Sequence, residues 1–146
     1  MPGAPRHWRM HRLYAHLVWT TRQRLPLITA DRARMLDRYL RVTAGYHHAR
    51  VLAVGMVSTH VHVLLRFEST TALAVLVQAL KGGSATVLNR ELHDGPPLRW
   101  ERGYSIQSVG PRQVDTVRTY LARQPEHHPL ERIVGWRSEA PTSDPE

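Results

Sequence analysis

Residues 51–65 hold two apolar runs, Val51 to Val57 and His60-Val61-His62-Val63-Leu64-Leu65, with only Ser58-Thr59 between them. Both are rich in β-branched residues, which suit a pleated, half-buried surface. A link that short joins the two strands as an antiparallel hairpin. Side chains on a strand alternate, so Val61, Val63 and Leu65 share one face and His60, His62 and Leu64 the other. The two imidazoles then stand about 7 Å apart along that face, at a rise of roughly 3.3 Å per residue. One metal ion can sit between them. A lone His-x-His is more often a pair of polar residues on the solvent side of a strand, so the pair needs support from the rest of the chain.

Other segments place this hairpin in a fold. His11 to Thr21 is rich in aromatic and β-branched residues and reads as the first strand. Thr29 can cap a helix running to Tyr46, with Ala33, Leu36, Tyr39, Leu40 and Thr43 at helical spacing. A second helix starts at Thr70 or Thr71 and keeps Leu73, Leu76, Val77, Leu80, Ser84, Val87 and Leu88 on one face. Lys81-Gly82-Gly83-Ser84-Ala85 interrupts it with two glycines, each costing about 1 kcal/mol against Ala. Either a close backbone approach or a kink accounts for them. Gly103 to Val109 reads as a fourth strand, and Arg112 to Gln124 as a last helix opened by Pro111 and stopped by Pro125. The order β-α-β-β-α-β predicts an α+β fold, a ferredoxin-like antiparallel sheet with an additional C-terminal helix. Helices one and two cover one face of that sheet, which leaves the His-bearing face open. Residues 1–10 read as a flexible basic arm, 11–128 as the domain, and 129–146 as a tail with a disordered end.

Charge then narrows the partner. The 146 residues carry a formal net charge of +8, which points to a polyanion, most simply nucleic acid. Lys81 is the sole lysine, so almost all of that charge is arginine, the better bidentate phosphate ligand. Arg22 and Arg24 lie in a basic connection after the first strand. Trp100 and Tyr104 either stack on bases or pack internally. Cysteine is absent, which excludes disulfides and thiolate metal sites and fits a reducing cytoplasm. No run approaches the roughly 20 apolar residues of a membrane span. The acidic residues are scattered, with no carboxylate cluster of the kind a two-metal nuclease needs.

The last helix adds the missing chemistry. Tyr120 and Gln124 are four residues apart and share a helix face, with Val114, Val117 and Leu121 as the apolar stripe. Tyr120 is either a boundary residue with its ring half-buried or a nucleophile. A tyrosine with its usual pKa of about 10 needs activation for that role, and a nearby cation is one means. Two imidazoles, an amide oxygen and open positions would make that cation a Lewis acid. His127 and His128 read as a solvated basic helix end, and Tyr14, Tyr39 and Trp19 as core.

These pieces together carry a resemblance. His60-Val61-His62 is similar to the His-hydrophobic-His signature of the HUH endonucleases. The order Tyr14-Ala15-His16-Leu17-Val18-Trp19, Thr59 to Leu65, Lys81 to Ala85, Trp100-Glu101-Arg102-Gly103-Tyr104 and Val117 to Gln124 resembles the single-tyrosine HUH transposases of bacterial insertion sequences, including the REP-associated tyrosine transposases. The resemblance spans residues 11–128. It implies Tyr120 as the nucleophile on single-stranded DNA with hairpin ends, a 5′-phosphotyrosine link, and Mg²⁺ or Mn²⁺ held by His60, His62 and Gln124. Imidazole suits Mn²⁺ better than the oxygen-loving Mg²⁺. DNA contacts are expected from Arg22, Arg24, Lys81, Ser84, Trp100, Arg102 and Tyr104. It also implies a homodimer, with action of Tyr120 in cis or in trans left open, and a cytoplasmic, nucleoid-associated protein. The family usually has Pro-Asp before the His pair, where this chain has Ser58-Thr59. Two other functions stay open: a catalytically silent hairpin-binding protein of the same fold, and an unrelated ferredoxin-like enzyme of small molecules.

Overall fold

The computed structural model describes residues 12–137; the expected basic arm and the end of the tail lie outside them. Four strands form one antiparallel sheet in the order β2-β3-β1-β4. They are β1 (Leu13–Thr20), β2 (Ala49–Val57), β3 (His60–Phe67) and β4 (Ser105–Val109). Two long helices, α1 (Ala30–Tyr46) and α2 (Leu73–Glu91), connect them. Thr29 caps α1 as its sequence predicts, its side chain accepting from the Arg32 amide. The ferredoxin-like α+β architecture is therefore present, strand for strand.

One face of the sheet buries the main core. Leu17, Trp19, Val61, Val63 and Leu65 meet Leu36 and Leu40 of α1 and Leu76, Leu80 and Leu88 of α2. The two glycines of α2 do not kink it. A side chain on Gly83 would strike the Tyr39 hydroxyl, whose proton goes to the Ala79 carbonyl at 2.9 Å. Gly83 thus lets α1 approach α2 through the Tyr39 ring. Trp100, which the sequence left between two roles, is half-buried and lies edge-on to Trp19 with ring centres 5.7 Å apart.

The opposite face is not open, which corrects the expectation from sequence. α3 (Val114–Ala122) lies across it, and Val114 and Leu121 bury Leu64 with Tyr14, Leu52, Ala53, Val109 and Val117 around them. A bulge in β2 prepares this seat. Val51 opposes Leu65 and Ala53 opposes Leu64, so Leu52 is an extra residue that inverts the alternation beyond it. Gly55 consequently lies opposite His62 on the α3 side. A Cβ there would stand 2.5 Å from the Leu121 carbonyl oxygen. Only a glycine lets the helix backbone come this close.

The last helix also ends earlier than expected. Pro111 opens a short 3₁₀ turn (Pro111–Gln113), α3 stops at Ala122, and a separate turn of helix, α4 (Gln124–His127), begins after Arg123. Pro125 sits in the first turn of α4, where its missing N–H is harmless, and does not end a helix there. The chain then folds back. The Ser58 amide donates to the Glu131 carbonyl at 2.7 Å, and Ile133, expected in the tail, is 4 % exposed in the main core.

Candidate active site

The parity of β3 places the two histidines of the site. His60 and His62 leave it on the α3 side, 4 % and 8 % exposed, with ring centres 5.2 Å apart. α4 brings Gln124, fully buried, over both rings. Its amide nitrogen lies 2.8 Å from His60 Nε2 and 2.9 Å from His62 Nε2. An amide –NH₂ has two protons and no lone pair to offer, so both Nε2 atoms are acceptors and both imidazoles carry their proton on Nδ1. The Gln124 carbonyl oxygen is left buried without a partner.

Those Nδ1 protons have acceptors. Next to His62 Nδ1, at 2.8 Å, is Nε2 of His16, which extends from β1 diagonally across the β1–β3 ladder. His60 Nδ1 lies 2.9 Å from the Thr59 hydroxyl, and that hydroxyl donates in turn to the Glu131 carboxylate. Burial is the main reason that both imidazoles resist protonation. It pushes His60 down to about 4, helped by His128 and Arg24 and opposed by Glu131. His62 is pushed down to about 3, with the neighbouring His16, His60 and His128 adding to burial. His16 is lowered by burial too. The Thr59 hydrogen bond, first among several causes, holds Glu131 below the usual carboxylate range. At neutral pH both imidazoles are therefore uncharged, with their Nε2 lone pairs aimed at the one Gln124 nitrogen.

Tyr120 stands beside that point, in the same chain. Its ring is 40 % exposed, edge-on to His62 at 6.0 Å and stacked on His127 at 4.7 Å. His128 is edge-on to His60 at 4.8 Å and half-buried. The solvated helix end expected for His127 and His128 is thus part of the site wall. Among the described residues no group of three or more His, Cys, Asp or Glu is arranged to hold a metal ion. The donors that converge are two imidazoles and one amide. They fit a divalent cation in one respect: both Nε2 lone pairs meet at one place, held by the neutral Gln124 –NH₂, and a turn of that amide would aim its orphaned oxygen towards it.

Comparison with known proteins gives this geometry a family. The sequence model described as "Transposase IS200 like" matches residues 9–124, most of the chain. The chain belongs to the IS200-like transposase family. The transposase for insertion sequence element IS200 of Salmonella typhimurium is 24% identical over 119 residues, covering 76% of each chain, and that of Salmonella typhi matches equally. Two solved structures share the fold. A putative transposase from Deinococcus radiodurans has TM-score 0.63 at 23% identity, covering 82% of this chain and 95% of that one. A REP-associated tyrosine transposase bound to a REP hairpin has TM-score 0.64 at 11% identity, covering 86% and 74%.

The residues expected on the transposase's DNA surface divide in two. Arg22, Arg24, Arg102 and Tyr104 are exposed. The Arg22 amide reaches the Arg99 carbonyl at 2.9 Å, and the Gln23 and Arg102 amides both donate to the Glu101 carboxylate. Lys81 donates to the Glu101 and Gly103 carbonyls and so pins this loop to α2. Ser84 is fully buried, its hydroxyl bonded to the Lys81 carbonyl and accepting from the Trp100 indole at 3.1 Å. This corrects the expectation of a DNA contact from Ser84: it serves α2 and Trp100 instead. His16 and Glu131 were missed by the sequence reading. His16 has a signal, since it lies in β1 at the parity that faces β3's histidines once the register is known; Glu131 has none.

Proposed function

We propose that the protein nicks and rejoins single-stranded DNA at hairpin-marked ends, with Tyr120 as nucleophile and a divalent cation, Mg²⁺ or Mn²⁺, on His60, His62 and Gln124. The observation that carries this reading is the convergence of both Nε2 lone pairs on one Gln124 atom beside an accessible tyrosine. Family membership supports action on DNA, and a structural neighbour of the same fold is described as bound to a REP hairpin.

The chain's own residues supply most of the reaction. Arg24, whose charge His60 and Glu131 both feel, stands at the edge of the site and would hold the phosphate backbone. The exposed Arg22, Arg102 and Tyr104 extend that footprint, the last by stacking on a base. A cation held by the three donors supplies Lewis-acid polarisation of the scissile phosphoryl oxygen. The Tyr120 oxygen attacks phosphorus as its proton leaves to solvent, a P–O(Tyr120) bond forms, and the bond to the 3′-oxygen breaks. That oxygen takes a proton and departs as a 3′-hydroxyl. Attack by a 3′-hydroxyl on the phosphotyrosine reverses the sequence and rejoins a strand.

Tyr120 reaches the His pair of its own chain, so we read the reaction in cis; the homodimer with exchanged tyrosine helices is the alternative arrangement. Mixing Tyr120→Phe protein with a His60→Ala, His62→Ala double variant distinguishes them, since only action in trans restores cleavage. A catalytically silent hairpin-binding protein is the second reading, favoured by the amide nitrogen, rather than the oxygen, facing the imidazoles. The deciding experiment uses labelled hairpin DNA from the flanks of this gene with Mn²⁺. A covalent protein–DNA band that needs metal and is lost in Tyr120→Phe is expected; tight hairpin binding with no band from the wild type would leave only the silent protein.

A further inference from the structure

We propose that Glu131 is a positioning residue of the site, acting through Thr59 to fix the tautomer and orientation of His60, and so replaces from downstream the carboxylate that position 59 lacks. The proposal deepens the metal-site reading and rests on it for its functional consequence. Thr59 is the second residue of the two-residue turn of the β2–β3 hairpin and is 5 % exposed. Glu131 comes from the 3₁₀ turn Pro129–Glu131, 72 residues later.

The direction of each proton follows from counting donors. A glutamate carboxylate only accepts, so the single Thr59 proton goes to Glu131 Oε2. The Thr59 oxygen then has only lone pairs to offer His60 Nδ1 at 2.9 Å, and the imidazole must donate. Nδ1–H leaves Nε2 as the lone-pair nitrogen, on the side where Gln124 sits at 2.8 Å. The carboxylate alone does not do this. Its oxygen is 3.9 Å from Nδ1, beyond a hydrogen bond, and the hydroxyl closes the gap. The other carboxylate oxygen lies 3.6 Å from His128 Nδ1, so the same group also braces the ring packed edge-on to His60. Partners that hold a ligating histidine this way raise its basicity and set its angle. A hydroxyl without the carboxylate behind it can donate to Nδ1 instead, which would put the proton on Nε2 and remove the lone pair from the site.

The turn does not depend on the Glu131 side chain, because the Ser58 amide binds the Glu131 backbone carbonyl. The test therefore compares wild type with Glu131→Ala, the isosteric Thr59→Val, and the double variant Thr59→Asp, Glu131→Ala. Nitrogen NMR of histidine-labelled protein reads the His60 tautomer without metal or DNA, and Mn²⁺ titration reads affinity. Wild type is expected to show protonated Nδ1 and bare Nε2. Glu131→Ala and Thr59→Val should shift His60 towards mixed tautomers and weaken Mn²⁺ binding by about 10–100-fold. The double variant should recover both, a rescue that a merely structural role for Glu131 does not predict. An unchanged His60 tautomer in Glu131→Ala overturns the proposal. A wild type that binds no Mn²⁺ overturns the metal reading instead, and the tautomer result still decides the relay.

Discussion

Gly55→Ala is the smallest change that should separate the two halves of the site. An ideal Cβ at Gly55 lies 2.5 Å from the Leu121 carbonyl oxygen and 3.1 Å from the carbonyl carbon and Cα of the same residue. Ordinary contact begins at about 3.5 Å, so α3 must withdraw by about 1 Å or β2 must bend as far. Backbone on one side and sheet on the other leave no flexible side chain to give way. Tyr120 precedes Leu121 directly and moves with α3, and Gln124, which opens α4 after the break at Arg123, is drawn along through the chain. The bonds from Gln124 to His60 and His62, at 2.8 and 2.9 Å, would lengthen beyond hydrogen-bonding range. Overpacking of this kind costs about 1–3 kcal/mol, which lowers the melting temperature by about 3–10 °C for a domain of this size. A misplacement of about 1 Å at a reacting centre costs about 100-fold in rate. The main core lies on the other face of the sheet, so the fold should persist. The assay is the rate of covalent adduct formation on single-stranded hairpin DNA, beside thermal melting. Gly82→Ala is the control: a Cβ there meets nothing within 4 Å, and the helix should gain up to about 1 kcal/mol. If Gly55→Ala cleaves and melts like wild type, the close approach of α3 to β2 does not set the site.

Three further outcomes follow from the same geometry. Because His60 and His62 are held near 4 and 3 in the fold against about 6.5 when unfolded, the unfolded chain binds more protons in between. Stability is then full above pH 6.5 and is lost as pH falls towards 4 for His60 and towards 3 for His62, by at most about 1.4 kcal/mol per pH unit for each imidazole; His62→Gln should flatten that slope in urea melts taken across this window. Arg24→Ala should weaken single-stranded DNA binding and reduce the salt slope of log K by about 1, whereas Ser84→Ala should lower the melting temperature and leave affinity alone; equal affinity in Arg24→Ala would remove Arg24 from the footprint. Asp94→Ala takes the carboxylate from Arg32, a guanidinium 2 % exposed and 2.9 Å from Asp94, and also from the Thr29 cap. A loss of about 1–3 kcal/mol is expected, discounted because Asp94 is partly in solvent; denaturant melts with no shift would show that the Leu27 and Pro96 carbonyls hold Arg32 unaided.

What could be read from the chain, and what could not, divides by range. Period-two alternation placed His60 and His62 on the face away from Val61, Val63 and Leu65, because local sterics alone decide that a strand's side chains alternate. The same logic does not carry through β2. Strict alternation from Val51 puts Gly55 on the core side, and only the extra Leu52 turns it towards α3; a bulge is settled by what both faces must pack, which no short window contains. Helical spacing put Tyr120 and Gln124 on one helix face but did not show the break at Arg123, after which Gln124 is fully buried while Tyr120 is half-exposed. His16 needed the β1–β3 register, a long-range pairing, before its place beside His62 had meaning. Glu131 needed more still. Its hydroxyl partner is 72 residues away, and the segment that carries it reads as a polar tail until Ile133 enters the core and ties it down. On the proposed relay, the departure at position 59 and the glutamate at 131 belong together: the Thr59 hydroxyl bridges a carboxylate that lies 3.9 Å from His60 Nδ1. A carboxylate restored at 59 should therefore make Glu131 dispensable.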